Sequence, residues 1–232
     1  LLQSSAASDV YKRQRGGFIL KQFDKKKNRK NSNSKKWDRY QSRDILPMWV
    51  ADMDFESPAC IKSALRKYVD NGIFGYHSEP KELRDILKKY LKNKGWNIKK
   101  EWIVLTPSVG APIYSIYNLI PKNTQVIIPT PIYLNFLKAP KHLGRRVQKL
   151  PMVNDRERLV IDFNKLSSIA KKNSWLMFVN PQNPGGTVYS KKELKDLSNI
   201  VKEKNITVFS DELHCDLILQ RNLEHTPLGS FK

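Results

Sequence analysis

Four short segments carry the residue types that could do chemistry, and each comes directly after an apolar run. The first is Thr106-Pro107-Ser108-Val109-Gly110, where the N–H groups of Val109 and Gly110 would open a helix. A helix start carries unpaired donors and partial positive charge, which suits a phosphate. The second is Pro129-Thr130-Pro131-Ile132-Tyr133, in which two prolines stiffen a turn and present an aromatic that could lie on a planar ring. The third, Asn180-Pro181-Gln182-Asn183-Pro184-Gly185-Gly186, is stiff at its prolines, permissive at its glycines, and offers Asn183 as a donor. The fourth, Ser210-Asp211-Glu212-Leu213-His214, sets a carboxylate directly after an apolar run, a costly position unless a positive group meets it. A protonated ring nitrogen would be such a group. Each segment alone also has an ordinary reading: a ligand-free helix start, a core tyrosine, a connecting turn. A metal site at Asp211, Glu212 and His214 finds no second ligand cluster elsewhere in the sequence.

The elements that must position these segments alternate. Strands are expected at Ile103–Thr106, Gln125–Ile128, Arg146–Leu150, Leu176–Val179 and Ile206–Phe209. Helices are expected after Ser57-Pro58, which read as N-cap and first helical residue, and from about Glu79-Pro80. Ile61, Ala64, Leu65 and Tyr68 fall on one face of the former, and Leu83, Ile86, Leu87, Tyr90 and Leu91 on one face of the latter. Further helices are expected up to Ile120, over Tyr133–Leu143, over Phe163–Lys171, and over Ser190–Lys204 with a Ser190/Glu193 capping box. Several strands are apolar on both faces, which predicts a largely parallel sheet covered on both sides, an α/β domain running from about residue 46 to 219. In such sheets ligands bind beyond the carboxyl ends of the strands, so Val109, Gly110, Tyr133, Asn183 and Asp211 should share one site.

Composition narrows the field. The 232 residues are 40% hydrophobic, enough for one large domain. Residues 1–20 share no periodicity with the rest of the chain and are expected to be a non-native or disordered tail; residues 21–45, polar and basic, read as an N-terminal arm; 46–232 read as the main domain. No apolar run reaches the roughly 18 residues of a membrane span and no secretory leader is evident, so a cytoplasmic location is expected. Cys60 and Cys215 form no framework for disulfides or metal. The net charge of +20 raises nucleic-acid binding, but outside the block between Lys21 and Arg43 the lysines are spread as pairs along helix faces, such as Lys88-Lys89 and Lys191-Lys192. No specific nucleic-acid partner is expected.

The four loops, in this order, resemble the fold-type I pyridoxal-phosphate (PLP) enzymes of the aminotransferase class I/II superfamily. Asn180–Gly186 resembles the family's N-P-x-N-P-x-G loop, and Ser210-Asp211-Glu212 its S-D-E. Within that superfamily, Leu46-Pro47-Met48-Trp49-Val50-Ala51-Asp52-Met53-Asp54-Phe55, Phe74-Gly75-Tyr76, Lys36-Trp37-Asp38 and His214-Cys215-Asp216-Leu217 resemble the cystathionine β-lyase, or MalY/PatB-type C–S lyase, group. The resemblance runs from about Phe23 to Phe231. It implies the PLP-dependent transferase-like major domain, incomplete, with an N-terminal arm. It implies that Val109 and Gly110 donate to the cofactor phosphate, Tyr133 stacks on the pyridine ring, Asn183 donates to its phenolic oxygen, and Asp211 keeps its nitrogen protonated. Gly110 stands where the family often has a larger apolar residue, which backbone donation tolerates. Tyr76 would reach the phosphate of a neighbouring subunit, so a homodimer is implied. The substrate class implied is cystathionine or another cysteine S-conjugate.

The family's cofactor-linking lysine sits in an S-x-S-K pattern well beyond the S-D-E aspartate. No S-x-S-K occurs between Asp211 and Lys232, so no catalytic residue is assignable, and these residues are expected to be an inactive fragment with an uncovered sheet edge. Three other readings stay open: an aminotransferase, a non-catalytic PLP-fold regulator and a basic nucleic-acid binder.

Overall fold

The computed structural model describes residues 25, 27–40 and 43–231; the tail expected over residues 1–20 lies outside them. The chain divides into two compact units, one ending at His77 and the other beginning at Ser78.

In the first unit an ion-pair hub ties the basic stretch to the Trp49–Phe55 segment. Arg29 meets Asp52 at 2.6 Å and Asp54 at 2.9 Å, and Lys36 meets Asp54 at 2.7 Å. The Trp37 indole donates to the same Asp54 carboxylate at 2.7 Å. The bond from Lys36, then that from Trp37, holds the Asp54 carboxyl down to about 2. Two carboxylates of the segment are thereby occupied in fastening the arm. Helix α1 spans Ala59–Asp70. Ser57 makes no capping bond, and the helix begins one residue after Pro58 rather than on it. The apolar face expected at Ile61, Ala64, Leu65 and Tyr68 is not covered: Ile61, Leu65 and Tyr68 are all exposed.

The second unit holds the core. Its buried hydrophobic residues begin at Ile98, not near Leu46, so the compact α/β layer starts later than the sequence predicts. Its elements are α2 (Leu83–Asn93), a 3-10 turn over Lys100–Trp102, α3 (Gly110–Leu119), β1 (Val126–Thr130), α4 (Asn135–His142), β2 (Gln148–Pro151), β3 (Val153–Asp155), β4 (Arg158–Val160), α5 (Phe163–Ile169), β5 (Trp175–Val179), α6 (Lys191–Glu203) and β6 (Thr207–Asp211). Four strands form one sheet in the order β2-β1-β5-β6, parallel at every pairing. Two departures from the sequence reading stand out. Ile103–Thr106 is not a strand; Val104 and Leu105 are exposed and no strand pairs with them among the described residues. An apolar run has no ladder without a partner to bond. In addition β3 and β4 form a hairpin that the sequence does not announce. Its turn places Arg156 and Glu157 at φ 50° and 67°, the paired left-handed conformation usually signalled by Asn-Gly or Asp-Gly.

Period-two alternation divides the sheet cleanly. Ile127, Leu176 and Phe178 point to the face packed by Leu166 of α5 and Leu194 and Leu197 of α6. Val126, Ile128, Met177, Val179 and Phe209 point to the face packed by Ile113 and Tyr117 of α3 and Phe136 and Ala139 of α4. Helix α6 starts as the sequence requires: the Ser190 side chain accepts from Glu193 N, and Glu193 reaches back to Ser190 N at 2.7 Å.

Candidate functional site

Because the sheet is parallel, β1, β5 and β6 all deliver their carboxyl ends, Thr130, Val179 and Asp211, to the same edge. Val179 and Asp211 are direct register partners there, and Asn180 N donates to Asp211 O at 3.0 Å. Alternation puts Asp211 on the face of Phe209, the α3 and α4 side, while Ser210 and Glu212 turn to the other side.

Near that edge a set of contacts runs through Tyr133, Asn135, Gln182 and Asn183. Gly110 opens α3, with no side chain capping the helix, although no strand precedes it as the sequence reading supposed. A Cβ at Gly110 would stand 3.5 Å from Asn135 Nδ2, and that amide donates to the Tyr133 hydroxyl at 2.9 Å. Tyr133 is partly exposed, leaving its ring accessible. Pro131, two residues earlier, accepts from Gln182 Nε2 at 2.8 Å, which joins the tyrosine turn to the Asn180–Gly186 loop. The loop closes on itself: Gln182 N donates to Thr187 O and Gly186 N to Gln182 O, both at 2.7 Å, and Gly185 N donates to Gln182 Oε1. Within it, half-buried Asn183 has its Nδ2 3.5 Å from His214 Nε2, three residues past Asp211. The bonds at Thr130–Pro131, Asn180–Pro181 and Asn183–Pro184 are cis.

Asp211 is the electrostatic centre of the edge. It is 9% exposed, its Oδ1 accepts from Leu213 N at 3.1 Å, and it has no ion pair among the described residues. Burial pushes its carboxyl above the ordinary 3.8, outweighing the bond from Leu213 and the nearby His214. A buried carboxylate lacking a cation, an uncapped helix N-terminus and an accessible aromatic ring fit a ligand carrying a protonated ring and a phosphate. No group of three or more metal-ligating side chains occurs among the described residues.

Tyr76 belongs to the first unit, where it is fully exposed. The sequence reading missed Asn135 and Gln182, the two amides that join the loops. Gln182 had a signal, its place between two Asn-Pro pairs; Asn135 had none. A cavity of about 490 Å³ lies on the other side of the sheet, against Val201 of α6 and Val208 and Ser210 of β6, and contains none of the five edge residues.

Residues 43–226 match the model of the family described as aminotransferase class I and II. The chain belongs to that family. Cystathionine beta-lyase PatB of Bacillus subtilis is 34% identical over 216 residues, covering 90% of this chain and 56% of that protein. The crystal structure of OvoB superposes with a TM-score of 0.84 at 36% identity, over 90% of this chain and 56% of that one. Cystalysin from Treponema denticola, whose crystal structure contains pyridoxal 5'-phosphate, does so with a TM-score of 0.81 at 33% identity, over 90% and 55%. The fold is therefore the fold-type I PLP enzyme large domain, present in part, and its similarities run to the C–S lyases. The chain spans about half the length of the relatives it matches. No helix among the described residues is long and apolar enough to cross a membrane.

Proposed function

We propose that these residues form the cofactor-binding portion of a PLP-dependent carbon–sulfur β-lyase of the cystathionine β-lyase type. The observation that carries this reading is Asp211: a buried carboxylate without a cation, at the end of a parallel strand, on the sheet face that also carries the uncapped start of α3 and the Tyr133 turn. When bound, PLP supplies an electron sink for the α-carbon of an amino acid. The N–H groups of Val109 and Gly110 hold its phosphate, at the positive end of α3. The Tyr133 ring lies on its face, and Asn183 donates to its phenolic oxygen. Asp211 holds a proton on the ring nitrogen, and that cation relieves the cost of the carboxylate's burial. Tyr76, exposed on the first unit, serves the phosphate of a second subunit in a homodimer.

The substrate is cystathionine or another cysteine S-conjugate, and the products are a thiol, pyruvate and ammonia. The similarity to the cystathionine beta-lyase of Bacillus subtilis supports this substrate choice, and the pyridoxal 5'-phosphate in cystalysin supports the cofactor. The location is cytoplasmic. No S-x-S-K lysine follows Asp211 within the 232 residues, and the Ser32-Asn33-Ser34-Lys35 run lies far ahead of it, so a polypeptide of this sequence alone binds PLP non-covalently and has no lyase turnover.

Titration with PLP, followed by ring fluorescence and induced circular dichroism, tests the site. Saturable binding lost in Asp211→Ala is expected; unchanged binding in that variant refutes the assignment. A polypeptide extended to the length of the relatives should release pyruvate from cystathionine. Transamination without pyruvate release would instead make the protein an aminotransferase.

A further inference from the structure

The S-D-E segment has a third member that the cofactor reading leaves idle. Glu212 turns away from the α3 and α4 face that Asp211 occupies, and there it joins three pieces of chain. Its Oε1 accepts from Ser210 Oγ at 2.6 Å and from Leu228 N at 3.1 Å. Its Oε2 lies 3.1 Å from His225 Nε2. The His225 side chain is 2% exposed, and neither ring nitrogen makes a hydrogen bond. Glu212 is thus the nearest charged group to a ring with no other polar partner.

Glu212 also shares a peptide unit with Asp211. The Asp211 side chain has one bond of its own, from Leu213 N, and Leu213 comes directly after Glu212. After β6 the chain runs without helix or strand until the 3-10 turn at Leu228–Ser230. The segment past the strand is also held at Cys215 and Asp216 by Tyr90 and Lys94, and Glu212 makes the side-chain contacts nearest the strand end. The same residue lines the cavity of about 490 Å³, so no packed side chains would substitute for it if it were removed.

We propose that Glu212 is a positioning residue for Asp211: by fastening the Asp211–Leu213 backbone to His225 and Leu228, it fixes the direction in which the Asp211 carboxylate faces the ring nitrogen. The assignment of that nitrogen rests on the PLP reading above; the fastening does not. Glu212 is neither a second acid–base group nor a metal ligand in this arrangement, because Oε1 already accepts from Ser210 and Leu228 and Oε2 faces the buried His225 ring.

Amide exchange, read residue by residue in the 232-residue chain, separates the two claims. In Glu212→Ala, the Leu213 and Leu228 amides should both exchange about three- to ten-fold faster, the loss of one net hydrogen bond, while Ile128 and Phe178 in the sheet interior keep their wild-type rates. Glu212→Gln, which retains an acceptor, should restore most of the protection. PLP affinity should fall by a similar factor in Glu212→Ala and recover in Glu212→Gln. Faster exchange at Leu228 with an unchanged Leu213 would overturn the proposal, since Glu212 would then anchor only the distal segment. If Glu212→Ala does not fold, Ser210→Ala decides: Leu213 must loosen there too, and no change sinks the idea. A wild-type chain that does not bind PLP refutes the cofactor reading, and the coupling of Leu213 to Glu212 is then judged by exchange alone.

Discussion

Replacing Gln182 by alanine removes the side chain that bonds the tyrosine turn to the Asn-Pro loop among the described residues. Gln182 is 5% exposed; it donates to Pro131 O at 2.8 Å and accepts from Gly185 N, with a further weak contact from its Nε2 to Met152 Sδ at 3.6 Å that adds little. Two hydrogen bonds at a net 0.5–1.5 kcal/mol each give about 1–3 kcal/mol. Pro131 and Gly185 are themselves exposed, so water can replace the lost partners and the full penalty for a buried orphan does not apply. The cost should therefore lie at about 1–2 kcal/mol, near the lower end of that range. In a chain of this size it corresponds to a fall in Tm of roughly 2–8 °C. Urea denaturation followed by far-ultraviolet circular dichroism measures it as a lower midpoint at unchanged slope. Gln182→Glu keeps the acceptor for Gly185 N but sets a buried carboxylate oxygen against Pro131 O, so it should cost at least as much as the alanine variant at neutral pH. A Gln182→Ala protein within about 0.3 kcal/mol of wild type would show that the two loops are held by other means, and the reasoning that links Tyr133 to Asn183 would fail.

Gly185→Ala should cost about 1–3 kcal/mol, because the added Cβ would stand 2.6 Å from Gln182 Oε1 and 2.9 Å from Leu159 Cβ; thermal melts check it, and a neutral result would place the loop elsewhere. Ser190→Ala removes half of the α6 capping box and should lower stability by about 1 kcal/mol, with a smaller further loss on adding Glu193→Ala; chemical denaturation of both variants checks it. Asp211→Asn should stabilise the cofactor-free chain while weakening PLP binding. The sign comes from the raised carboxyl: folding favours the protonated form, so wild-type stability falls as pH rises from about 3.8 through the folded-state value, and the variant lacks that fall. Paired denaturation curves across this pH range read it directly, and a variant less stable than wild type at neutral pH would contradict it.

How much of this was legible in the sequence depended on how local each signal was. Leu176–Val179 reads as a buried strand from composition alone, and the Ser190/Glu193 box fixes its own helix start, because both signals are complete within a few residues. Ile103–Thr106 has the same apolar look yet makes no strand, because a ladder needs a neighbour and composition does not say whether one is there. The hairpin turn at Arg156-Glu157 was invisible for the opposite reason: the pairing of Val153–Asp155 with Arg158–Val160 imposes left-handed backbone on residues that carry no turn signal. The apolar stripe of α1 is correctly periodic and still uncovered, since amphipathicity states that a face wants burial and not what buries it.

The site shows the same division, and parity is what closes it. Reading the residue after each strand located the edge, since in a parallel sheet every carboxyl end arrives at the same side. It could not give the face. That information lies in which residues of β6 share a side with Met177 and Val179, and it appears only once Val208 is seen among the α5 and α6 contacts and Phe209 among those of α3 and α4. Asp211, two residues after Phe209, then falls on the side of the α3 start and the Tyr133 turn, and Glu212 falls on the side of His225. A slip of one residue in β6 would exchange the two carboxylates, sending Asp211 to the cavity and Glu212 to the candidate site. The register Val179↔Asp211, with Asn180 N bonded to Asp211 O, excludes that arrangement. The division of labour between the two acidic residues of S-D-E is thus a consequence of strand pairing, and neither residue's chemistry could have revealed it alone.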